Sequence, residues 1–322
     1  MATRLRWTSL RSPLVTGPLV AALATIALVW RINSSAPPEH TAATYRSAAP
    51  DLTVAFVSDR AGGRSVWVQQ GTNTPRQISR PGLQAHSPQW SPSGKELAYA
   101  TARDENHFEV IVRNWSDGQE RVAFQHDGPI GNVSWSPTDD ALLIDRITES
   151  GAERSQELVT VALTGGPPRV ITRSEPPALG QASWRAGHDR PIVIARVSDK
   201  SESHLEFYQE DDTLDVVWAD TNDFSPAWSP NGSRLAFVRA EPGSGWTLMV
   251  SAPDGSDGRA ITHSPRLMFK PSWSADGRQL VYERYDSTNG TLWVAPTDGS
   301  GRERVLFGGS DSQTSPSVRP AQ

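Results

Sequence analysis

The sequence predicts an all-β fold, a six-bladed β-propeller built from four-stranded antiparallel blades. A tryptophan recurs at nearly constant spacing, and the segments around it repeat one order of turns and apolar runs. The first unit also lacks a strand that the carboxyl end of the chain supplies. Self-similar units of about 40–50 residues are typical of propellers and solenoids.

The repeated tryptophan marks the first strand of each unit. The five copies are spaced 45, 49, 44 and 45 residues apart, at Trp90, Trp135, Trp184, Trp228 and Trp273. A turn such as Ser91-Pro92-Ser93-Gly94 follows, in which Pro fixes φ at one corner and Gly accepts a positive φ at another. An apolar run such as Leu97–Ala100 comes next, so each unit begins as strand, turn, strand. We assign the tryptophan a packing role between blades.

Two further apolar runs complete each unit, as at 110–112 and 121–124. These runs are nearly continuous, which is typical of sheets covered on both faces. Four short antiparallel strands per unit make a propeller blade.

Residues from the two ends of the chain are predicted to form one blade. Residues 51–57 match a second strand, and no tryptophan segment precedes them. Ser315–Val318 aligns with Lys270–Trp273, and Val318 follows Trp273 by 45 residues. The carboxyl-terminal strand should therefore pair into the first blade and close the ring without an open edge. A linear solenoid would not need this division and is less favoured.

These segments resemble the WD40-like (PD40) repeats of the TolB β-propeller family. The resemblance rests on the Ser-Pro-x-Trp-Ser-Pro-x-Gly segments, on 56–63 and on 66–68, and it covers about residues 51–320. It implies a propeller that serves as a periplasmic adaptor, as the gating domain of a prolyl-type peptidase, or as a polysaccharide lyase. The chain departs from TolB in lacking the α/β domain ahead of the propeller. The segment 184–189 lacks the Ser-Pro turn, which predicts an irregular blade.

The first fifty residues predict a membrane anchor and a tether. Residues 14–30 carry no charge and, as a helix, would span about 26 Å of a bilayer core of about 30 Å. Arg4, Arg6 and Arg11 precede this run, so the propeller is expected outside the cytoplasm. The predicted units are a cytoplasmic stub and signal anchor at 1–31, a flexible tether at 32–50 and the propeller at 51–320. A signal peptide cleaved after 34–36 is the alternative, and it would make the propeller a secreted protein.

The composition excludes several kinds of site and partner. The chain has no cysteine, which excludes disulfides, thiolate metal sites and a cysteine nucleophile. Residues 51–322 hold 26 basic and 35 acidic side chains, so nucleic acid is not an expected partner.

An arginine ends each predicted second strand. The six are Arg60, Arg103, Arg146, Arg196, Arg239 and Arg284. In a closed ring they would lie near one rim, where arginines bind carboxylates and phosphates. The alternative is that each arginine pairs with a nearby acid, for which Asp59, Asp145 and Glu283 are adjacent in sequence.

The loops that lead into the innermost strands should share this rim. Their candidate binding residues are His86, His126, Phe224, Arg266, Phe269 and Lys270, beside the exposed-looking Leu267 and Met268. Apolar and basic groups on loops of a rigid ring are typical of a docking surface. The alternative is that Phe224 and Phe269 pack between blades and the others are ordinary loop residues.

No catalytic or metal-binding motif stands out. None of the seven histidines has a metal-ligand spacing, although a site from His86, His126 and His263 stays open. The sequence has no Gly-x-Ser-x-Gly elbow and no phosphate-binding loop, and no cofactor or metal is expected.

The sequence therefore favours a non-catalytic binding or scaffold module, a monomeric propeller whose partner is a protein or a cell-envelope component. A carbohydrate-active, lyase-like propeller with its site at the channel mouth is the alternative. A sensor is a third candidate function. It is disfavoured because a cytoplasmic stub of about a dozen residues cannot hold an output domain.

Overall fold

The computed structural model describes residues 51–150, 153–174, 179–186, 192–197, 203–208, 214–216, 221–286, 289–300, 302–307 and 311–320. The predicted anchor and tether lie outside these residues. Within them, no helix has the length and apolar character needed to cross a membrane.

The strands form six four-stranded antiparallel sheets, numbered here as blades 1 to 6. From the innermost strand outward, blade 1 consists of β24 (Gln313–Val318), β1 (Thr53–Ser58), β2 (Ser65–Gln70) and β3 (Arg76–Gln77). Blade 2 consists of β4 (Gln84–Trp90), β5 (Glu96–Ala102), β6 (Phe108–Asn114) and β7 (Glu120–His126). Blade 3 consists of β8 (Ile130–Trp135), β9 (Ala141–Ser150), β10 (Glu153–Ala162) and β11 (Arg169–Ser174).

The other three blades repeat this order. Blade 4 consists of β12 (Leu179–Trp184), β13 (Ile192–Val197), β14 (Ser203–Tyr208) and β15 (Leu214–Val216). Blade 5 consists of β16 (Asp223–Trp228), β17 (Leu235–Glu241), β18 (Gly245–Ser251) and β19 (Arg259–Ser264). Blade 6 consists of β20 (Met268–Trp273), β21 (Gln279–Asp286), β22 (Asn289–Pro296) and β23 (Arg304–Val305).

The innermost strands surround a central axis. Each of β4, β8, β12, β16 and β20 contacts the innermost strand of the next blade, and β24 contacts both β20 and β4. The predicted all-β propeller of four-stranded antiparallel blades is confirmed.

The two ends of the chain meet in blade 1, as predicted. β24 pairs antiparallel with β1, with Val318 opposite Val54. The Ser58 hydroxyl donates a hydrogen bond of 2.6 Å to the Asp311 carboxylate, and Arg60 ion-pairs with the same carboxylate at 2.8 Å. Hydrogen bonds and an ion pair therefore join two segments about 250 residues apart in sequence.

The tryptophan position carries hydrogen bonds between consecutive blades. In three seams the preceding blade has serine just before its own tryptophan position, and the serine hydroxyl accepts the backbone N–H of the next blade. The three such bonds are Trp90 N to Ser317 Oγ at 3.0 Å, Trp228 N to Ser183 Oγ at 3.2 Å and Val318 N to Ser272 Oγ at 2.9 Å.

Two other seams lack that serine and use the indole instead. Trp135 Nε1 donates to the Gln89 carbonyl at 2.9 Å, and Trp273 Nε1 donates to the Ala227 carbonyl at 2.9 Å. The indole N–H of Trp90 has no hydrogen-bond partner among the described residues. In these five seams, a serine before the preceding tryptophan position accompanies the hydroxyl bond, and another residue there accompanies the indole bond.

Arginine replaces the serine of the Ser-Pro turn in two blades. Arg185 follows Trp184, donates to the Gly232 carbonyl at 2.9 Å and stacks 4.8 Å from the Trp228 ring centre. Arg319 has the same relation to blade 2, where it donates to Gly94 at 2.8 Å and stacks on Trp90. The irregular segment after Trp184 therefore attaches blade 4 to blade 5 through Arg185.

Each innermost strand contains a bulge, seen as a register shift against its second strand. In four blades a non-glycine residue at the bulge has φ between 48° and 52°, namely Ser87, Ser225, Lys270 and Ser315. A β-bulge re-aims the side chain it carries.

The two kinds of seam predict different costs for one substitution. Trp135→Phe and Trp273→Phe each remove an indole hydrogen bond, whereas Trp90→Phe removes a donor that has no partner among the described residues. We expect the first two to lose about 0.5–1.5 kcal/mol more unfolding free energy than Trp90→Phe. Urea unfolding of the three variants measures this difference, and equal losses would contradict the seam assignment.

Candidate functional site

The ends of the second strands define one face of the ring. All blades run in the same order, so the carboxyl ends of β1, β5, β9, β17 and β21 lie at one side, called here the arginine face. It is marked by Arg60, Arg103, Arg146, Arg239 and Arg284. The turns between innermost and second strands, which hold Lys95 and Arg278, form the opposite turn face.

Two of the rim arginines are held by nearly inaccessible aspartates. Arg60 pairs with Asp311, whose side chain is 4% exposed. Arg239 binds Asp223 through two bonds, Nε to Oδ1 at 2.8 Å and Nη2 to Oδ2 at 3.0 Å. Both guanidinium groups also lie over aromatic rings of their own blade.

The other described rim arginines pair with glutamates. Arg146 pairs with Glu157 at 2.8 Å and Arg284 with Glu303 at 2.6 Å. Arg103 is 64% exposed and lies 3.5 Å from Glu109.

Arg196 lies in β13, and its side chain is outside the described residues. The described rim arginines therefore each have an acid, but the neighbouring Asp145 and Glu283 are not the partners of Arg146 and Arg284. Alternate residues of a strand point to opposite faces of the sheet. Each of these acids therefore points away from its neighbouring arginine.

The aromatic loop candidates pack inside the ring. Phe224 and Phe269 are 6% and 8% exposed and lie on either side of Trp246, at centroid distances of 5.6 and 5.5 Å. Met268 is fully buried and Leu267 is half-buried, so the expectation that both are exposed was wrong. Apolar side chains at the start of β20 fill the seam with blade 5.

Arg266 is 52% exposed and pairs with Asp286 at 2.6 Å. His126 is half-buried and bonds through Nε2 to the Ile147 carbonyl at 2.8 Å. Burial lowers the pKa of His126. Of the loop candidates, Arg266 remains on the surface.

His86 is a buried histidine next to the bulge of β4. Its Nε2 lies 2.9 Å from the Ile130 carbonyl of blade 3. Burial, and then the charge of Arg64, lower the pKa of His86 to about 4. The imidazole is therefore neutral near pH 7, with Nε2–H donating to the carbonyl.

Lys270 reaches the propeller axis. Its Nζ donates to Ser315 Oγ of blade 1 at 2.8 Å. The charges of Glu283 in its own blade, Arg64 in blade 1 and Asp145 in blade 3 all act on it. Blades 3 and 6 are opposite each other in a ring of six sheets. An ammonium group that interacts with both must lie near the axis.

These side chains form one group, called here the axial cluster. It consists of Arg64, His86, Asp145, Lys270, Glu283 and Tyr285.

Asp145 is fixed by hydrogen bonds and by a glycine. Its Oδ2 accepts from the backbone and side-chain N–H groups of Asn132, and its Oδ1 accepts from Gln156, each at 3.2 Å. A Cβ on Gly131 would lie 2.3 Å from Oδ2, so only glycine leaves room for the carboxylate. Burial raises the pKa of Asp145, against the opposing effect of these bonds.

Glu283 is the second acid of the cluster. Its Oε2 accepts the backbone N–H of Ser315 at 2.6 Å, which ties blade 6 to blade 1. Burial, followed by the charge of Glu283, raises the pKa of the Tyr285 phenol well above its usual value.

The two cations of the cluster are incompletely paired. Among the described residues, the half-buried Arg64 guanidinium makes no hydrogen bond or ion pair. Burial lowers the pKa of Lys270, and the charge of Arg64 lowers it further, against Glu283 and Asp145. The cluster thus has N–H donors without acceptors in the described part of the chain, beside two carboxylates that hydrogen bonds hold in place.

Sequence reasoning found Lys270 and His86 but missed Arg64, Asp145, Glu283 and Tyr285 as members of a site. One signal was available. Lys270 occupies the repeat position held by serine in three other units, and it is one of three lysines in the chain. No signal pointed to Arg64, because its loop varies between units.

No group of three or more His, Asp or Glu side chains in the described part of the chain is arranged to hold a metal ion.

The fold and the axial cluster define a β-propeller with a polar centre. Neither a protein family nor a curated protein sequence matches the chain. Among solved structures, it is similar to TolB propellers and to other propeller proteins. TolB from Acinetobacter baumannii has 18% identity and a TM-score of 0.72, over 85% of this chain and 68% of that one.

Two further structures are similar. A putative TolB from Agrobacterium tumefaciens has 18% identity and a TM-score of 0.59, over 87% of this chain and 100% of that one. Oligogalacturonate lyase from Vibrio parahaemolyticus has 15% identity and a TM-score of 0.56, over 83% and 78%. At these identities the similarities establish the fold.

The neutral state of His86 predicts a pH dependence of stability. The unfolded chain binds a proton at this residue from about pH 6.5 downward, but the folded chain does so only near pH 4. The stabilising contribution is complete above about pH 6.5 and is lost as the pH falls, by about 3 kcal/mol in all.

His86→Gln keeps an N–H donor for Ile130 but does not titrate. We expect this variant to lose about 3 kcal/mol less unfolding free energy than the parent between about pH 7 and about pH 4. Urea unfolding at both pH values is the measurement. The control is His107→Gln, at a histidine with a 63% exposed side chain. A pH dependence in His86→Gln equal to that of the parent would contradict the assignment.

Proposed function

We propose that this chain is a non-catalytic binding module of the cell envelope that docks a protein or an envelope component on its arginine face. In this proposal residues 14–30 anchor a single propeller, which faces the periplasm or the cell surface. If the amino-terminal segment is cleaved, the propeller is secreted. The observation that carries the proposal is the axial cluster at the centre of one face. Among the described residues, Lys270 has one hydrogen-bond acceptor, Ser315, and the Arg64 guanidinium has none.

The surroundings of the cluster support a binding role. Arg60, Arg146 and Arg239 lie on acids or aromatic rings, so the rim has a fixed shape. A pre-organised surface loses little conformational freedom when a partner binds. Arg103 and Arg266 remain more than half exposed and supply accessible positive charge around the centre.

The similarity to TolB structures agrees with an envelope location, because the resembled family includes periplasmic adaptor propellers. The chain covers most of both TolB structures. These comparisons support the proposal at the level of the fold, and the binding role rests on the axial cluster.

A lyase is the second candidate function, favoured by the kinds of side chain in the axial cluster. Abstraction of a proton beside a carboxylate needs a base and a cation that stabilises the resulting negative charge. Burial and Arg64 lower the pKa of Lys270, which suits a base, and Arg64 could hold the substrate carboxylate. The similarity to an oligogalacturonate lyase is consistent with this candidate.

Site-specific photocrosslinking tests the binding proposal. A photoreactive residue replaces Arg103 or Arg266 on the arginine face of the full chain in its native envelope. We expect each to form a discrete covalent adduct with the same envelope component, because both positions surround the axial cluster.

The matched controls replace Lys95 and Arg278, which are exposed on the turn face. Adducts that form equally from both faces, or from neither, would contradict docking at the arginine face. Release of an unsaturated uronide from oligogalacturonate, abolished by Lys270→Met, would establish the lyase instead.

A further inference from the structure

We infer that Arg64 and Lys270 together bind one carboxylate group of a peptide that approaches the propeller axis from the arginine face. The inference rests on the proposed binding function and specifies the ligand chemistry at its centre.

The position of Lys270 gives the first step of the argument. The bulge of β20 places this residue at φ 52°, and its Nζ contacts the bulge residue of the next blade, Ser315. In the other three described bulges with positive φ, the equivalent residue is a short serine, at Ser87, Ser225 and Ser315. Lys270 is therefore the one long cationic side chain among these bulge residues. It lies near the propeller axis and not at the rim.

Arg64 provides the second cation. It immediately precedes β2 in blade 1, and its charge acts on both His86 of blade 2 and Lys270 of blade 6. Blade 1 lies between these two blades, so the guanidinium faces the same central space. Two like charges in a partly desolvated space repel each other, and an anion between them removes this cost.

The donors of both groups are available. Lys270 has one hydrogen-bond acceptor among the described residues, Ser315 Oγ, and Arg64 has none there. No carboxylate in the described part of the chain forms an ion pair with either. Asp145 and Glu283 are held elsewhere, by Asn132, Gln156 and Ser315. A guanidinium and an ammonium that converge on one space suit a carboxylate.

The charge of the cluster limits the ligand to a single carboxylate. Asp59, Asp145 and Glu283 already stand near the two cations, and together they repel a ligand that carries several negative charges. The chain as a whole carries a formal charge of −5, which repels polyanions. A peptide with one acidic side chain or a free carboxyl end meets this condition, whereas a polyuronate has one charge on every sugar.

Lysine NMR on the full chain in neutral detergent tests the inference without any substitution at the site. The chain has three lysines, at positions 95, 200 and 270, so isotope labelling at Cε gives three signals. The probe is an acetylated oligoalanine with a free carboxyl end, and its carboxamide is the matched control. We expect the acid to shift the Lys270 signal alone and the amide to shift none.

Calorimetric titration with the same probes measures affinity. Lys270→Met and Arg64→Met should each weaken binding of the free acid by about ten- to a hundredfold, as expected for loss of a charged hydrogen bond. The matched controls are Lys95→Met and Arg278→Met on the turn face, which should bind like the parent. An oligoalanine amide with one internal glutamate distinguishes a side-chain carboxylate from a chain end, and binding of either supports the inference.

Three results would overturn the inference. They are a Lys270 signal unmoved by both carboxylate probes, equal affinity for acid and amide, and stronger binding of an oligogalacturonate than of both peptides. If photocrosslinking still yields an adduct from the arginine face alone, the binding module stands and the carboxylate site does not.

Discussion

The hydrogen bond between consecutive innermost strands is the interaction on which the propeller depends. Each blade is a small sheet that cannot bury its faces alone, so its stability comes from its neighbours. The seam at the tryptophan position holds the innermost strands in register around the axis. A seam can use either a serine hydroxyl or an indole N–H for this bond, since each satisfies one polar group while the large ring packs between blades.

The same innermost strands create both the rigid frame and the polar centre. A bulge on each strand interrupts the ladder just before the tryptophan position and turns one residue out of the regular alternation. Most blades use this position for a short polar side chain, and blade 6 uses it for Lys270. A frame that repeats in every blade can thus carry a group that occurs once.

The fold was predictable from the sequence because its repeat unit occurs several times. The repeat is visible in the spacing of the tryptophans from Trp90 to Trp273 and in the alignment of Val318 with these tryptophans. The site was less predictable because its residues do not repeat. Arg146 and Asp145 are neighbours in sequence, yet the aspartate is held by Asn132 and Gln156, and the arginine pairs with Glu157. Sequence adjacency predicted an ion pair where strand geometry separates the two side chains.

The shared blade 1 has a consequence for how the domain folds. Its strands β24 and β1 join segments separated by 253 residues, as measured by the bond between Ser58 and Asp311. Contacts this distant in sequence make for slow folding, because a long loop must close before they form. A chain that emerges amino end first keeps the edge of β1 unpaired until its final strand arrives. Until then, that edge is open to pairing with other chains.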